Sequence, residues 1–216
     1  MKVFRSSTTT MGLLMRRFYR VPLPLTLLIC ERTFGSVLNM MDVRPDMTYA
    51  QSAAAYYDWM QRYDPAVFNG IKERVKDGRW EVVGGMWIEP DCDIPRGESW
   101  MHQMLYSQRY FRNNLGVMAK IGWNPDSFGY TWNMPEFYLN AFITQKIGWN
   151  DTNVFPYRVF WWEAPDGSRI LSYFPFPVQR ESRFRRDKKE LYKDYQGLLL
   201  VYAMASCLKN QTRRNS

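Results

Sequence analysis

Residues 118–132 read MAKIGWNPDSFGYTW, and the reading of this stretch decides the fold. MAKIGW is apolar and short, the length of a strand, and it runs directly into a polar tip in which Pro125 and Gly129 bracket Asp126. Proline fixes its own φ, and glycine adopts backbone shapes that other residues avoid, so Asp126 is held at a sharp strand exit rather than on a slack loop. A carboxylate at such a point serves as a nucleophile, a metal ligand or both, and a bound cation would keep it ionised. Trp123, Phe128, Tyr130 and Trp132 flank it with rings able to stack on a sugar. The plainer reading is an aspartate that hydrogen-bonds its own turn while the rings fill a core. Spacing alone leans towards the turn.

Working outward, the same strand-then-polar-tip pattern recurs. TFGSVLNMMD carries apolar residues at 34, 37, 38 and 41, a helical spacing, and MTYAQS (47–52) is a short strand. AAAYYDWMQRY is helical, and Asp64-Pro65 supplies an N-cap followed by proline at the first helical position of a second helix that stops at Gly78. RWEVVGGMW (79–87) reads as a second strand entering the loop IEPDCDIPRGE. SWMHQMLYSQRYFRNNLG is a long amphipathic helix stopped by Gly116, after which MAKIGW is the third strand. A helix beginning at WNMPEFYLN and a fourth strand AFITQK (141–146) follow, and residues 159–174 read as a hairpin around Pro-Asp-Gly.

Strands alternating with helices predict a parallel α/β sheet with right-handed crossovers, here a partial, barrel-like and incomplete one with flanking helices. Ligands gather at the C-terminal strand ends of such sheets. Three polar clusters fall there: Glu89/Asp91/Asp93, Asn124/Asp126/Ser127, and Gln145/Lys146. One shared mouth is expected to collect them.

Composition narrows the alternatives. At 216 residues with 46% hydrophobic and 17% aromatic content, the chain is long and apolar enough for one domain with a sizeable core. The three cysteines, Cys30, Cys92 and Cys207, form no C-x-x-C pair, so a reducing, cytoplasmic setting is expected. A net charge of +8 invites a nucleic-acid or membrane partner, yet residues 1–34 hold six Lys/Arg against one acid and residues 179–216 hold ten against four, which leaves the middle at −3. The basic character belongs to the ends, and no groove-entering motif accompanies it, so neither nucleic acid nor membrane is expected as a partner. Two prolines interrupt VPLPLTLLI and no A-x-A-like cleavage site follows, which argues against a secretory signal. No apolar run approaches the roughly 20 residues that span a bilayer.

Three separated stretches, GWNPDSFGYTWNMPE, TQKIGWNDTNVFPYRVFWWEAPDGSRIL and RWEVVGGMWIEPDCDIPRGES, resemble the N-terminal catalytic domain of the α-mannosidases of glycoside hydrolase family 38. The resemblance covers roughly residues 30–176. It implies that Asp126, in the P-D-x-F-G motif, is the catalytic nucleophile and also touches an active-site zinc. It further implies that Phe128 lies beside the bound sugar and that Lys146 lies near the sugar hydroxyls. The implied reaction is retaining hydrolysis of terminal α-mannosides, with a second carboxylic acid protonating the leaving oxygen and the two carboxyls about 5–5.5 Å apart.

The departures are equally informative. The family's zinc site also uses an H-x-D motif and a further histidine. This chain has one histidine, His102, inside the apolar stripe of SWMHQMLYSQRYF, where a surface or packing role is expected, and no H-x-D. A zinc site needs three or four protein ligands, and the complete set is absent from this chain. EPDCD (89–93) offers either a ligand or a loop-shaping turn, and the general acid is unassigned. MPEFYLNAFITQK leaves room only for a short helix. Abrupt, basic flanks suggest a truncated or frame-disrupted family member. The domain expectation is an atypical basic segment (1–29), a partial catalytic domain (30–178) and a basic peripheral tail (179–216). The expected function is α-mannosidase-like hydrolysis of α-mannoside-containing glycans, inactive or incomplete as given, with a non-catalytic carbohydrate-binding remnant as the alternative. Open sheet edges offer a route to self-association.

Overall fold

The computed structural model describes residues 4–6, 23–127, 129–137, 140–145 and 156–174. They divide into two compact units. One comprises the described parts of Met1–Glu89 with Arg96–Ala119, and the other Pro90–Pro95 with the described parts of Lys120–Ser216.

In the first unit, β1 (Phe4–Ser6), β2 (Thr48–Gln51) and β3 (Trp80–Val82) form a parallel sheet in that order. Helices α1 (Leu23–Val43), α2 (Ala54–Tyr63), α3 (Pro65–Lys76) and α4 (Gly97–Leu115) accompany it. Along α1, Phe34, Val37 and Met41 are buried and Leu38 packs against them, the helical set that the spacing predicts. The Asp64 carboxylate accepts the Val67 amide at 3.1 Å with Pro65 opening α3, so this helix starts where its cap residues place it. Trp80 on β3 is the hub of the core. Its ring stands edge-on to Phe34 at 5.5 Å and lies 4.6 Å from Tyr49. Its Nε1 donates to the Tyr57 hydroxyl at 3.0 Å, which in turn donates to the Gln51 carbonyl at 3.0 Å. Both polar tips are therefore satisfied while the rings leave water.

The strand expected over 79–87 is much shorter. β3 ends at Val82, because Gly84 and Gly85 take φ of 84° and 70°, which lies outside strand geometry. The chain turns instead, and the Trp87 amide donates to the Gln103 carbonyl at 3.1 Å. The carbonyls of Met86 and Trp87 then accept the first amides of α2, from Ala54 (3.1 Å) and Ala55 (2.9 Å), in place of a side-chain cap.

The second unit holds a four-stranded sheet built from β4 (Ile121–Asn124), β5 (Ala141–Thr144), β6 (Val159–Glu163) and β7 (Arg169–Tyr173), in the order β4-β5-β7-β6. β4–β5 and β5–β7 pair in parallel, with Asn124 opposite Thr144, and β6–β7 is antiparallel. Every residue of β4 and β5 is buried, as parallel strands covered on both faces require. The hairpin forms at the expected place: Ala164 N donates to Ser168 O at 2.8 Å across the Pro-Asp-Gly turn. The helix after β4 is a single turn, α5 (Met134–Phe137).

The chain is thus α/β with parallel strands and flanking helices, as expected, and the described strands form a three-stranded sheet in the first unit and a four-stranded one in the second. β3 ends two residues before Gly84, and among the described residues its pairing partner is β2.

Candidate active site

Asp126 lies in the turn that leaves β4, and it is only 5% exposed. The turn is closed on three sides. Pro125, itself buried, sets the backbone before it. Asn124, completely buried, holds the strand end: its Nδ2 donates to Cys92 Sγ at 2.7 Å, and its Oδ1 accepts the Ser127 hydroxyl at 2.8 Å. The Ser127 proton also has the Pro90 carbonyl within reach at 3.0 Å. Beyond Asp126, the Tyr130 hydroxyl spans the turn, with the carbonyls of Asn124 at 3.2 Å and Ser127 at 2.8 Å as acceptors, while Thr144 Oγ1 donates to it from the end of β5.

Gly129 makes this packing possible. Its φ is +80°, and a Cβ there would lie 1.8 Å from a carboxylate oxygen of Asp93. Only a residue without a side chain lets the 90–95 loop approach the Asp126 turn so closely. Asp91 shapes that loop, its Oδ1 accepting the amides of Asp93 (2.8 Å) and Ile94 (3.0 Å), an Asx-turn pattern. Of the two readings of EPDCD, these bonds support the loop-shaping one for Asp91.

The structure separates three of the four rings. Trp123 is buried, and Tyr130 stands edge-on to Phe142 (6.0 Å) and Trp162 (6.3 Å), which stand edge-on to each other at 5.9 Å. Trp132 is 69% exposed. Phe128 and Lys146 lie outside the described residues. Of the three polar clusters, Asp91/Asp93 and Asn124/Asp126/Ser127 meet within the second unit through the Cys92–Asn124, Ser127–Pro90 and Asp93–Gly129 approaches. Glu89 belongs to the first unit, where it accepts the Ser52 hydroxyl at 2.6 Å.

Among the described residues no three His, Cys, Asp or Glu side chains converge. The single histidine is exposed on α4, its ring 5.4 Å from Tyr106, a helix-surface role. The neighbours of Asp126 in its turn are a carboxamide and a hydroxyl already bonded to protein atoms. No described helix is long and apolar enough to cross a membrane.

Cysteine spacing and aromatic count gave no warning of the partners of Cys92 and Tyr130. Cys92 bears on the site as a buried acceptor for Asn124, and Tyr130 through its hydroxyl rather than its ring. The available signal was position: one polar tip follows a strand end, and the other precedes it by about thirty residues.

Comparison with known proteins places these features. The family model described as the glycosyl hydrolases family 38 N-terminal domain matches residues 26–210. The chain is 39% identical over 150 residues to alpha-mannosidase G of Dictyostelium discoideum, covering 68% of this chain and 14% of that protein. It is 36% identical over 150 residues to human alpha-mannosidase 2C1, with the same two coverages of 68% and 14%. The chain therefore spans about one-seventh of the length of these curated relatives. Among solved structures it superposes on an alpha-mannosidase from Enterococcus faecalis V583 with a TM-score of 0.63 at 17% identity, over 84% of this chain and 21% of that one. A 4-alpha-glucanotransferase from Thermococcus litoralis gives 0.59 at 17%, over 80% and 29%. At that identity the likeness is one of fold.

Proposed function

Because the chain belongs to glycosyl hydrolases family 38, as part of its N-terminal domain, we propose that its site is an α-mannosidase-type glycosidase site with Asp126 as the reacting carboxylate. The single observation that carries the proposal is the geometry of Asp126: a nearly buried carboxylate in a tightly closed turn at the C-terminal end of a parallel strand. Restricting a nucleophile to one orientation removes part of the entropic barrier to attack. In the retaining mechanism, Asp126 attacks the anomeric carbon of a terminal α-mannoside as the glycosidic bond breaks. A second carboxylic acid protonates the leaving oxygen, and water then releases the sugar with inversion at each step. Exposed Trp132 offers a face for the sugar, and Phe128 and Lys146 belong to this proposal by resemblance alone.

Zinc enters only through the resemblance, which assigns Asp126 to it, and no step here depends on it. α-Mannoside-containing glycans are the proposed partners, within a barrel-like, incomplete domain over residues 30–178 between the basic segments 1–29 and 179–216. A cytoplasmic setting is proposed from the three cysteines, which form no C-x-x-C pair, and open sheet edges give a proposed route to self-association.

A second reading is supported by the single, surface-exposed histidine and the missing H-x-D: a carbohydrate-binding remnant that holds mannose without cleaving it. The chain alone is expected to show negligible turnover of an aryl α-mannoside. Measurable hydrolysis that disappears in Asp126→Asn would establish the enzyme reading instead. Calorimetric titration with mannose, with and without zinc, tests the remnant, for which affinity is independent of the metal.

A further inference from the structure

The Asp126 turn is held by an atom that the family motif does not include. The Tyr130 hydroxyl reaches the carbonyls of Asn124 and Ser127, two residues before and one residue after Asp126. Its one proton is shared between these two acceptors, and its oxygen can also accept. Thr144 Oγ1 donates to that oxygen, which ties the turn on β4 to the end of the neighbouring strand β5. The ring behind the hydroxyl is locked edge-on between Phe142 and Trp162, on β5 and β6, so the hydroxyl has little freedom to swing away. The two carbonyls bracket the peptide units whose rotation would redirect the Asp126 side chain. With φ of Pro125 already set by its ring, pinning both carbonyls fixes the backbone from which the Asp126 side chain leaves.

We propose that Tyr130, with Thr144 behind it, is a positioning residue that holds the backbone of the turn from which the Asp126 carboxylate projects. It touches no substrate and acts only through the turn. The inference rests on Asp126 being the reacting group, but its test needs no turnover. Hydrogen–deuterium exchange of the full chain, compared with Tyr130→Phe, is expected to be roughly threefold to tenfold faster at the amides of residues 126–129, the effect that losing one hydrogen bond supports. Exchange along β7 and the melting temperature should stay nearly unchanged. The carboxyl carbon resonance of Asp126, in aspartate-labelled protein, should shift, which a tyrosine serving only as packing would not cause. Should Tyr130→Phe fold poorly, Thr144→Val is expected to give the same local pattern and Thr144→Ser, which keeps the hydroxyl, to restore it. Unchanged exchange at 126–129, equal acceleration throughout β4, β5 and β7, or a failure of Thr144→Ser to restore what Thr144→Val loses would each overturn the proposal. The functional reading fails separately: if Asp126→Asn alters neither sugar affinity nor turnover while the local exchange result holds, the clamp stands and the nucleophile does not.

Discussion

At the scale of single residues, the turn after β4 is decided by contacts rather than by propensity. Gly129 is needed twice, once for a φ of +80° and once because a Cβ would overlap Asp93. Gly129→Ala is therefore expected to destabilise the protein by about 1–3 kcal/mol, the range for a non-glycine residue forced into that backbone region. Adding Asp93→Ala should recover the steric part and leave the conformational part, and urea unfolding of the single and double variants measures both. Asp126 and Pro125 were legible in the sequence as a constrained strand exit. The roles of Asn124, Cys92 and the Tyr130 hydroxyl were not, because each depends on a partner brought in by folding. Cys30 gives a second residue-level test. Burial pushes its thiol up to about 12, since the thiolate would lose its hydration. Because the thiolate is the reactive form, Cys30 in the folded chain should resist iodoacetamide at pH 8 and react after denaturation, as peptide mass spectrometry can read directly.

At the scale of elements, chain ends and caps behave as their residues require. Asp64 satisfies an orphan amide of α3, so Asp64→Ala should cost about 0.5–2 kcal/mol, read by thermal or urea denaturation at neutral pH. The junction between α3 and β3 carries a pH-dependent link. Partial burial pushes the Asp77 carboxyl up, but the bonds it accepts from the Arg79 amide and guanidinium and from Arg74 outweigh this and hold it below the usual carboxylate range. A depressed folded-state pKa contributes stability that is fully present above about pH 4, the unfolded value, and is lost as pH falls through the folded one. Asp77→Asn should accordingly lower the melting temperature at pH 7, modestly because the pairs are partly exposed, and the difference should shrink as pH falls below the unfolded value and through the folded one. β3 is the element whose length was misjudged. Its apolar and aromatic content suggests nine residues of strand, and the positive φ of Gly84 and Gly85 ends it after three.

At the scale of the whole molecule, the core of the first unit gathers around aromatic rings. Trp80 touches Phe34, Tyr49 and Tyr57, contributed by α1, β2 and α2, so Trp80→Ala removes packing from three elements at once. A loss of about 3–5 kcal/mol is expected, enough to unfold much of a marginally stable domain, and circular dichroism at 25 °C would show it. The net basic charge did not indicate the function. What did was the succession of strands, polar tips and helices, together with three motifs in a fixed order. The sequence by itself determined the α/β class, the α3 cap, the hairpin at Pro-Asp-Gly and the placement of Asp126 at a strand exit. These rest on steric and hydrogen-bonding preferences that act over a few neighbouring residues. Only the tertiary structure decided how the described strands pair and that His102 faces solvent. It alone decided that Trp132 is exposed while Trp123 is buried, and that the Asp126 turn is closed by Cys92, Tyr130 and Thr144. Asn124 and Cys92 are 32 residues apart, and Tyr130 and Thr144 are 14 apart. Such pairings and the burial that comes with them are set by how distant segments pack, which local preference does not encode.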